Sequence, residues 1–423
     1  TFRKGKFPGR IAMKMILTIY DFFAGAQDNK YCSNNELLSR FEGLDDNKLQ
    51  GGSRYTDAIV DDSRLVLRVL QDSIDDGGEA LSYTKVKNLL LEDEKVCGVT
   101  IEDKDFSSFI NLKASVVINA TGAWADRVRN VVNNEERIRP LRGSHIIIPK
   151  SLYPMQDVMT FLHADDKRGV FVYPWEGTTV VGTTDLDHSE DLDVEASISE
   201  VEVDYLLKAF NTEFPKHAIK RSDILSTWAG VRPVIGTEKS KDPSKERRDH
   251  AVWSDHGLIT VTGGKLTTFR LIALDALTAA KDNLPPAQDF SSDKVFVTPE
   301  ISSEALFPEN PSWGQRLLGR YGERAIELVN GSSPEERVNL GDTEFTLAEC
   351  RWALEFEAVE HLDDLLLRRT RLGMCLPNGG AELYPVLQEM CSNLLGWDEG
   401  RWNSELNRYE AIWKKHYSLP TIH

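Results

Sequence analysis

The sequence predicts a mixed α/β (α+β) protein with an antiparallel sheet in its middle and a helical domain at its C-terminus. Three observations predict this fold. Strand-like apolar runs follow one another closely between residues 145 and 182, apolar residues recur at helical spacing on both sides of them, and the chain after Pro311 is almost entirely helical in pattern. A chain of 423 residues is long enough for more than one domain.

The strands are predicted from short runs of β-branched and other apolar residues. Residues 86–91 and 96–101 are expected to form a hairpin, and residues 116–119 a short strand. Four further runs, separated by turn residues, are expected to form an antiparallel meander at residues 145–148, 158–162, 170–173 and 179–182.

Helices are predicted where apolar residues recur every three or four positions, at residues 65–73, 201–210 and 266–281. Asp62 or Ser63 is expected to cap the first of these helices. Five prolines between residues 283 and 311 mark a domain boundary. Beyond it, an apolar stripe that ends in arginines indicates a cap of packed helices. The stripe and its arginines are Leu347, Cys350, Leu354, Leu362, Leu365, Leu366, Arg368, Arg369 and Arg371.

Charge and cysteine content exclude several classes of protein. The net charge is −17, and no apolar run is long enough to cross a bilayer, so neither a nucleic-acid binder nor a membrane-spanning protein is expected. The five scattered cysteines contain no C-x-x-C pair and are expected to be reduced thiols. The acidic run from Asp185 to Asp193 has Glu190 where a calcium loop needs glycine, so no metal site is predicted.

The N-terminal segment departs from the acidic average. Its first twenty residues carry no acidic side chain and five basic ones, Arg3, Lys4, Lys6, Arg10 and Lys14. Mixed with apolar residues, this pattern suits a helix that lies in the headgroup plane of an anionic bilayer. A helix packed on the core, with a solvated basic rim, explains the same pattern.

Two glycine-containing turns, each between a strand and a helix, are candidate ligand sites. In SVVINATGAWAD (115–126), a glycine lets the backbone approach a ligand, and the amides after it can hold a phosphate or a ribityl chain. In GLITVTGGKLTTFR (257–270), two glycines and a lysine at a helix start suit an anion, or a cofactor that becomes anionic on reduction. A packing turn is the alternative for each. The candidate residues are Ala120, Thr121, Gly122, Trp124, Gly263, Gly264, Lys265, Leu266, Thr267 and Thr268.

Four other side chains are candidates for the chemistry. Arg232 follows an apolar run and Arg248 a polar loop, and two guanidinium groups together would match a phosphate or a carboxylate. Each could instead be a surface charge. Tyr55 is able to reach a pocket, and His145 is the candidate proton acceptor, although a histidine at a strand start is more often structural.

These motifs occur together in a recognisable order. The blocks are YTDAIVDDSRLV, ATGAWAD, RPLRGSHIIIP, GTTDLD, WAGVRP, RRDH, TGGKLTTFR and LLLRRTRLGM. In this order they resemble the FAD-dependent glycerol-3-phosphate dehydrogenases over nearly the whole chain. The resemblance implies a glutathione-reductase-like FAD domain, a substrate domain on an antiparallel sheet, and a C-terminal helical domain. The implied domains are residues 57–137 with 248–285, residues 1–56 with 138–247, and residues 300–423.

The resemblance also implies a reaction. It implies oxidation of sn-glycerol 3-phosphate to dihydroxyacetone phosphate, with electrons passed from FAD to a membrane quinone. Arg232, Arg248 and Tyr55 would bind the substrate, Lys265 would lie at the flavin's pyrimidine edge, and His145 would be the candidate base. The expected location is the inner face of a bacterial plasma membrane, on anionic lipid; a homodimer is left open.

One part of the family's pattern is missing from this sequence. A G-x-G-x-x-G turn and a His-Gly-Gly block precede the shared motifs in the family, and the sequence contains neither. An absent upstream segment is therefore expected, with weak FAD binding by this chain alone, and the true base could belong to that segment. The alternatives are a glycerol-3-phosphate oxidase that uses oxygen and a non-catalytic interaction protein that has lost FAD.

Overall fold

The computed structural model describes residues 1–4, 9–25, 28–103, 108–236, 249–286, 295–296 and 299–420. The strands, in chain order, are β1 (Phe2–Arg3), β2 (Lys30–Cys32), β3 (Leu49–Arg54), β4 (Val86–Glu92), β5 (Lys95–Asp103), β6 (Ser108–Lys113), β7 (Val117–Asn119), β8 (Ile138–Pro149), β9 (Met159–Leu162), β10 (Gly169–Trp175), β11 (Thr178–Gly182), β12 (Leu186–Asp187), β13 (Ser226–Ile235), β14 (His250–Asp255) and β15 (Leu258–Gly263).

The α-helices are α1 (Arg10–Ala24), α2 (Asn34–Arg40), α3 (Asp62–Asp75), α4 (Ala125–Arg129), α5 (Glu200–Glu213), α6 (Phe269–Ala280), α7 (Ser303–Leu306), α8 (Pro311–Tyr321), α9 (Arg324–Asn330), α10 (Leu347–Phe356), α11 (Leu372–Cys375), α12 (Tyr384–Leu395) and α13 (Glu399–Ile412). π-Helical turns follow at Asp364–Arg369 and Trp413–Tyr417.

The largest sheet holds the predicted antiparallel strands in the order β12-β8-β11-β10-β9, with β13 also paired to β8. The antiparallel pairing is confirmed, but the strands do not form a simple meander, because β8 pairs with β11 instead of β9. All five residues of β11 are buried, whereas β9 alternates between buried and exposed. A strand buried on both faces belongs inside a sheet, and a half-exposed one fits its edge.

This sheet lies between two hydrophobic layers. Ile146 and Ile148 pack into a cluster with residues of α5, such as Phe210. Ile147 lies between them in β8 and packs with Val180 into the core of the C-terminal helical domain. Because successive side chains of a strand point to opposite faces, one apolar run fills both cores.

Three smaller sheets complete the fold, and one of them pairs β3 with both β1 and β2. The predicted hairpin is confirmed as β4 and β5, with β6 added antiparallel to β5. The short strand is confirmed as β7, which runs parallel to β15, and β15 pairs with β14. Both glycine-containing turns therefore leave neighbouring strands of one sheet.

The predicted helices are present as α3, α5 and α6, but two details differ from the sequence analysis. The cap of α3 is Asp61, whose carboxylate accepts a hydrogen bond from the Arg64 amide at 3.2 Å, so the prediction of Asp62 or Ser63 is wrong by one or two residues. The apolar stripe is not one helix. It is divided because α10 ends at Phe356, and the remaining leucines lie in and just before a π-helical turn.

Helix α1 exposes most of its apolar side chains. Ile11 is 77% exposed, Phe22 80% and Phe23 82%, whereas Leu17 and Asp21 are buried. One side of this helix is therefore buried, and most of its apolar surface is exposed. Within the described ranges, every helix is too short or too polar to cross a bilayer.

Candidate active site

Arg232 and His145 lie on the paired strands β13 and β8. The Arg232 guanidinium covers Gly143, where an added Cβ atom would lie only 2.5 Å from Nη2 and 2.8 Å from Cζ. Nη1 donates to Asp185 Oδ1 and Nη2 to Thr183 Oγ1, each at 3.3 Å. Because 36% of its side chain is exposed, this held guanidinium is accessible to an anion.

The imidazole of His145 is enclosed between two neighbours. It stacks on the Trp228 ring with 4.4 Å between centroids and 16° between planes, and a Cβ atom at Gly182 would overlap it. Burial, assisted by the charge of Arg232, lowers the pKa of His145 to about 3. The ring is therefore neutral at pH 7, and within the described part of the chain its buried Nδ1 has no hydrogen-bond partner.

The two glycine turns are joined to each other. Gly122, Gly263 and Gly264 have φ angles of 61°, 77° and 78°, a region that disfavours residues with a Cβ atom. The Thr262 hydroxyl donates to the Gly122 carbonyl at 3.3 Å. Among the described residues, no side chain caps the 3-10 helix at either turn (Gly122–Trp124 and Leu266–Thr268), and none places an atom within 4 Å of a Cβ position at Gly122. The two joined turns therefore present uncapped backbone amides, with open space beside Gly122.

These turns lie next to the strands of Arg232 and His145. The Gly122 turn contacts both β8 and β13. A Cβ atom at Gly263 would lie 3.0 Å from the Ile235 side chain. Because Ile235 follows Arg232 by three residues of extended strand, the second turn lies about 10 Å along the strand from Arg232.

The other candidates of the first turn lie at its surface. Ala120, Thr121 and Trp124 are exposed. The Thr121 hydroxyl donates to Asn119 Oδ1 at 2.7 Å, and the Trp124 indole donates to Asp193 Oδ1 at 2.9 Å. The hydrogen bond therefore ties the exposed tryptophan ring to the segment that contains Asp193.

The candidates of the second turn differ in their contacts. Lys265, Leu266 and Thr267 are exposed, whereas the Thr268 hydroxyl donates to the Lys265 carbonyl at 2.9 Å. Thr268 therefore stabilises the start of α6, and the exposed lysine leaves that helix start positively charged.

The other two predicted substrate residues stay predictions. Tyr55 follows β3 and packs edge-to-face on Tyr20 of α1, with 5.7 Å between ring centroids. Burial, followed by the charge of Asp57 and by Tyr20, raises the pKa of Tyr55. Arg248 lies outside the described residues.

The residues that hold Arg232 and His145 were not predicted from the sequence. Gly143, Gly182, Thr183 and Trp228 were not among the candidates, and Asp185 was considered only as a calcium ligand. Each acidic residue weighed for that role pairs with an arginine: Asp185 with Arg232, Asp187 with Arg139, and Asp191 and Asp193 with Arg127. In the described part of the chain, no three His, Cys, Asp or Glu side chains are arranged to hold a metal ion.

Comparison with known proteins identifies relatives of the chain. A family profile described as FAD dependent oxidoreductase matches residues 15–270, and one described as the C-terminal domain of alpha-glycerophosphate oxidase matches residues 300–402. The chain is 32% identical to the aerobic glycerol-3-phosphate dehydrogenase of Bacillus subtilis, over 94% of this chain and 76% of the relative. It is 30% identical to glycerol-3-phosphate dehydrogenase 2 of Mycobacterium tuberculosis, over 93% and 70%.

A solved structure has a similar fold. The glycerol-3-phosphate dehydrogenase of Bacillus halodurans, solved in complex with FAD, superposes with a TM-score of 0.74 at 23% identity. The match covers 90% of this chain and 79% of the other. The arrangement of antiparallel sheet and helical domain is therefore shared between the two proteins.

Proposed function

The chain belongs to the family of FAD-dependent glycerol-3-phosphate dehydrogenases, and from this premise we propose that it oxidises sn-glycerol 3-phosphate to dihydroxyacetone phosphate and passes the electrons to a quinone. The observation that carries the proposal is the juxtaposition of Arg232, a neutral His145 and two joined glycine turns. An anion site, a proton acceptor and a cofactor cradle are the parts that this oxidation requires.

The residues of the two turns fit FAD. The open backbone at Gly122 allows close approach of a dinucleotide, and the uncapped amides can donate to its phosphates or ribityl chain. Lys265 and the start of α6 would stabilise negative charge on the reduced cofactor. When bound, FAD supplies the acceptor for the hydride that leaves C2 of the substrate.

The chain's own residues would bind the substrate and take up its proton. The planar fork of Arg232 suits the paired oxygens of a phosphoester and fixes its orientation. A neutral ring nitrogen of His145 can accept the proton of the C2 hydroxyl as the carbonyl forms. A phosphate dianion beside Arg232 would offset the guanidinium charge and so raise the low pKa of His145, which makes it a better base.

The test is glycerol-3-phosphate-dependent dye reduction by the full-length holoenzyme. Arg232→Ala and Lys265→Ala should lower kcat/KM at least ~100-fold, because each removes a charge next to the reacting atoms. Lys281→Ala, which removes an exposed lysine just beyond the other end of α6, is the matched control and should keep the wild-type rate. Wild-type rates in both active-site variants would refute these roles.

Oxygen as the electron acceptor is the second candidate. It is favoured by the match of residues 300–402 to the C-terminal domain of alpha-glycerophosphate oxidase. Peroxide yield should distinguish the two acceptors. A quinone-linked enzyme should form little peroxide per substrate oxidised when a soluble quinone is present, whereas an oxidase should form about one equivalent with or without it.

We further propose that α1 binds an anionic membrane surface on the cytoplasmic side of the bacterial plasma membrane. Its apolar side chains Ile11, Ile19 and Phe22 are all more than half exposed, and its N-terminal half carries Arg10 and Lys14 without an acidic residue. Apolar area and cationic side chains both add to binding at a headgroup layer that contains anionic lipid.

Vesicle sedimentation tests the membrane proposal. The wild-type protein should sediment with vesicles that contain phosphatidylglycerol, and Phe22→Glu should lose most of this binding. Thr18→Glu, which adds the same charge at an exposed polar position of the same helix, should lose less. Equal binding by both variants would contradict insertion of the apolar side.

A further inference from the structure

The segment of residues 183–185, which follows β11, holds the guanidinium of Arg232. Thr183 and Asp185 both come from this segment, and each accepts one hydrogen bond from a different terminal nitrogen of Arg232 at 3.3 Å. Gly143 lies beneath the same guanidinium. Two acceptors at the edge and a backbone below fix the plane of a group that would otherwise rotate.

The segment is itself anchored from behind the sheet. The Thr184 hydroxyl donates to Glu202 Oε1 at 2.6 Å, and the same carboxylate accepts from the Ser144 hydroxyl at 2.8 Å and from Arg142 at 2.9 Å. Glu202 is only 1% exposed. Although burial opposes it, hydrogen bonds led by that of Thr184 lower the pKa of Glu202, so the anchor remains ionised.

Neighbouring side chains of the segment therefore face two different groups. Thr184 points to the Glu202 anchor on α5, whereas Thr183 and Asp185 contact Arg232. The carboxylate of Asp185 is largely buried, with 10% of its side chain exposed, so its contact with Arg232 is partly shielded from water. A charge-assisted contact in such a place is stronger than one at the surface.

We propose that Asp185 is a positioning residue for Arg232, which it holds in the orientation that receives the anionic substrate. This inference rests on the proposed function, since it concerns the same substrate. Asp185 is not itself placed against the substrate, because its carboxylate would repel a phosphoester. It acts by keeping the guanidinium plane over Gly143 before the ligand arrives, which reduces the ordering that binding requires.

The test compares two nearby aspartates in the holoenzyme. Asp185→Ala should raise the KM for glycerol 3-phosphate about 10-fold or more, and Asp185→Asn, which keeps an oxygen acceptor, should raise it less. Asp187→Asn is the matched control, because Asp187 pairs with Arg139 at 2.6 Å and is 58% exposed. It should keep the wild-type KM. The affinity for glycerol 3-phosphate, measured by calorimetry, should fall most in Asp185→Ala, less in Asp185→Asn and not in Asp187→Asn.

A double-mutant cycle separates positioning from general structural damage. In an Arg232→Lys background, Asp185→Asn should change KM less than about 2-fold, because the guanidinium that Asp185 orients is no longer there. An equal effect in both backgrounds, or a wild-type KM in Asp185→Ala, would overturn the inference. If the wild-type protein did not oxidise glycerol 3-phosphate at all, the proposed function itself would fail.

Discussion

The guanidinium of Arg232 lies directly over the backbone of Gly143 on the neighbouring strand. A Cβ atom at Gly143 would lie between 2.5 and 2.8 Å from three guanidinium atoms, closer than non-bonded atoms can approach. The glycine is therefore needed for the position of an arginine from another strand. An arginine can occupy this place only while residue 143 has no side chain.

Gly143→Ala should therefore weaken substrate binding. The added methyl group must displace the guanidinium, which loses its contacts with Asp185 and Thr183. A KM increase of roughly 10- to 100-fold is expected, equivalent to one or two charge-assisted hydrogen bonds. Steady-state kinetics of the holoenzyme with glycerol 3-phosphate measure it.

The control for this substitution lies directly opposite in the strand pair. Gly230 is paired with Gly143 in the register of β13 and β8, and no atom of the described residues lies within 4 Å of its Cβ position. Gly230→Ala should leave KM unchanged. Equal KM values for the two alanine variants would mean that the guanidinium does not need its place over Gly143.

Thr262→Val should lower the affinity for FAD. The substitution removes the hydrogen bond to the Gly122 carbonyl, which joins the two glycine turns, while keeping the size of the side chain. Loss of about 1 kcal/mol corresponds to roughly a 5-fold higher Kd for FAD, measured by quenching of flavin fluorescence. Thr278→Val, which removes a hydroxyl bonded to its own helix at Leu274, should leave the Kd unchanged.

Local pattern predicted the elements of this fold better than their arrangement. Short apolar runs were enough to predict the hairpin of β4 and β5 and four of the six strands of the central sheet, whereas β12 and β13 were not predicted. The pairing of β8 with β11 and β13 joins segments far apart in sequence. Such pairing depends on which strand is buried on both faces, and a run of apolar letters does not indicate its partner.

In the candidate site, too, individual residues could be predicted but the contacts between them could not. Arg232 and His145 could be selected because charged and titratable groups next to apolar runs are uncommon. Gly143 and Asp185 could not, because their roles arise only when two strands and a turn meet. Asp185 stands in an acidic run, and sequence alone does not reveal that its partner is an arginine 47 residues away.

The low pKa of His145 predicts a pH-dependent stability. The native imidazole has a pKa of about 3, whereas an unfolded one has a pKa near 6.5, so below that value the unfolded state binds a proton that the native state does not. Stability should therefore fall as the pH falls from about 6.5 towards 3, by up to ~1.4 kcal/mol per pH unit from this group. Urea unfolding of the wild type and of His145→Asn between pH 4 and 7 measures the difference. Parallel curves would show that His145 does not titrate in this way.

Removing the carboxylate of Glu357 should destabilise the docking of α3 on the helical domain. Arg64 of α3 donates to both oxygens of Glu357 at 2.8 Å, and both side chains are at least 97% buried. Glu357→Ala leaves a buried guanidinium without its counter-charge, which typically costs about 3–5 kcal/mol in the free energy of unfolding. Chemical denaturation followed by tryptophan fluorescence measures this loss.

A second substitution distinguishes a stranded charge from a simple loss of packing. Adding Arg64→Met to Glu357→Ala removes the unpaired charge and should restore much of the lost stability, since apolar replacements of buried ion pairs are often tolerated. The exposed pair of Lys113 and Glu92 is the surface control, and Glu92→Gln should leave the unfolding midpoint unchanged. If the double variant were no more stable than Glu357→Ala, the destabilisation would come from the cavity and not from the charge of Arg64.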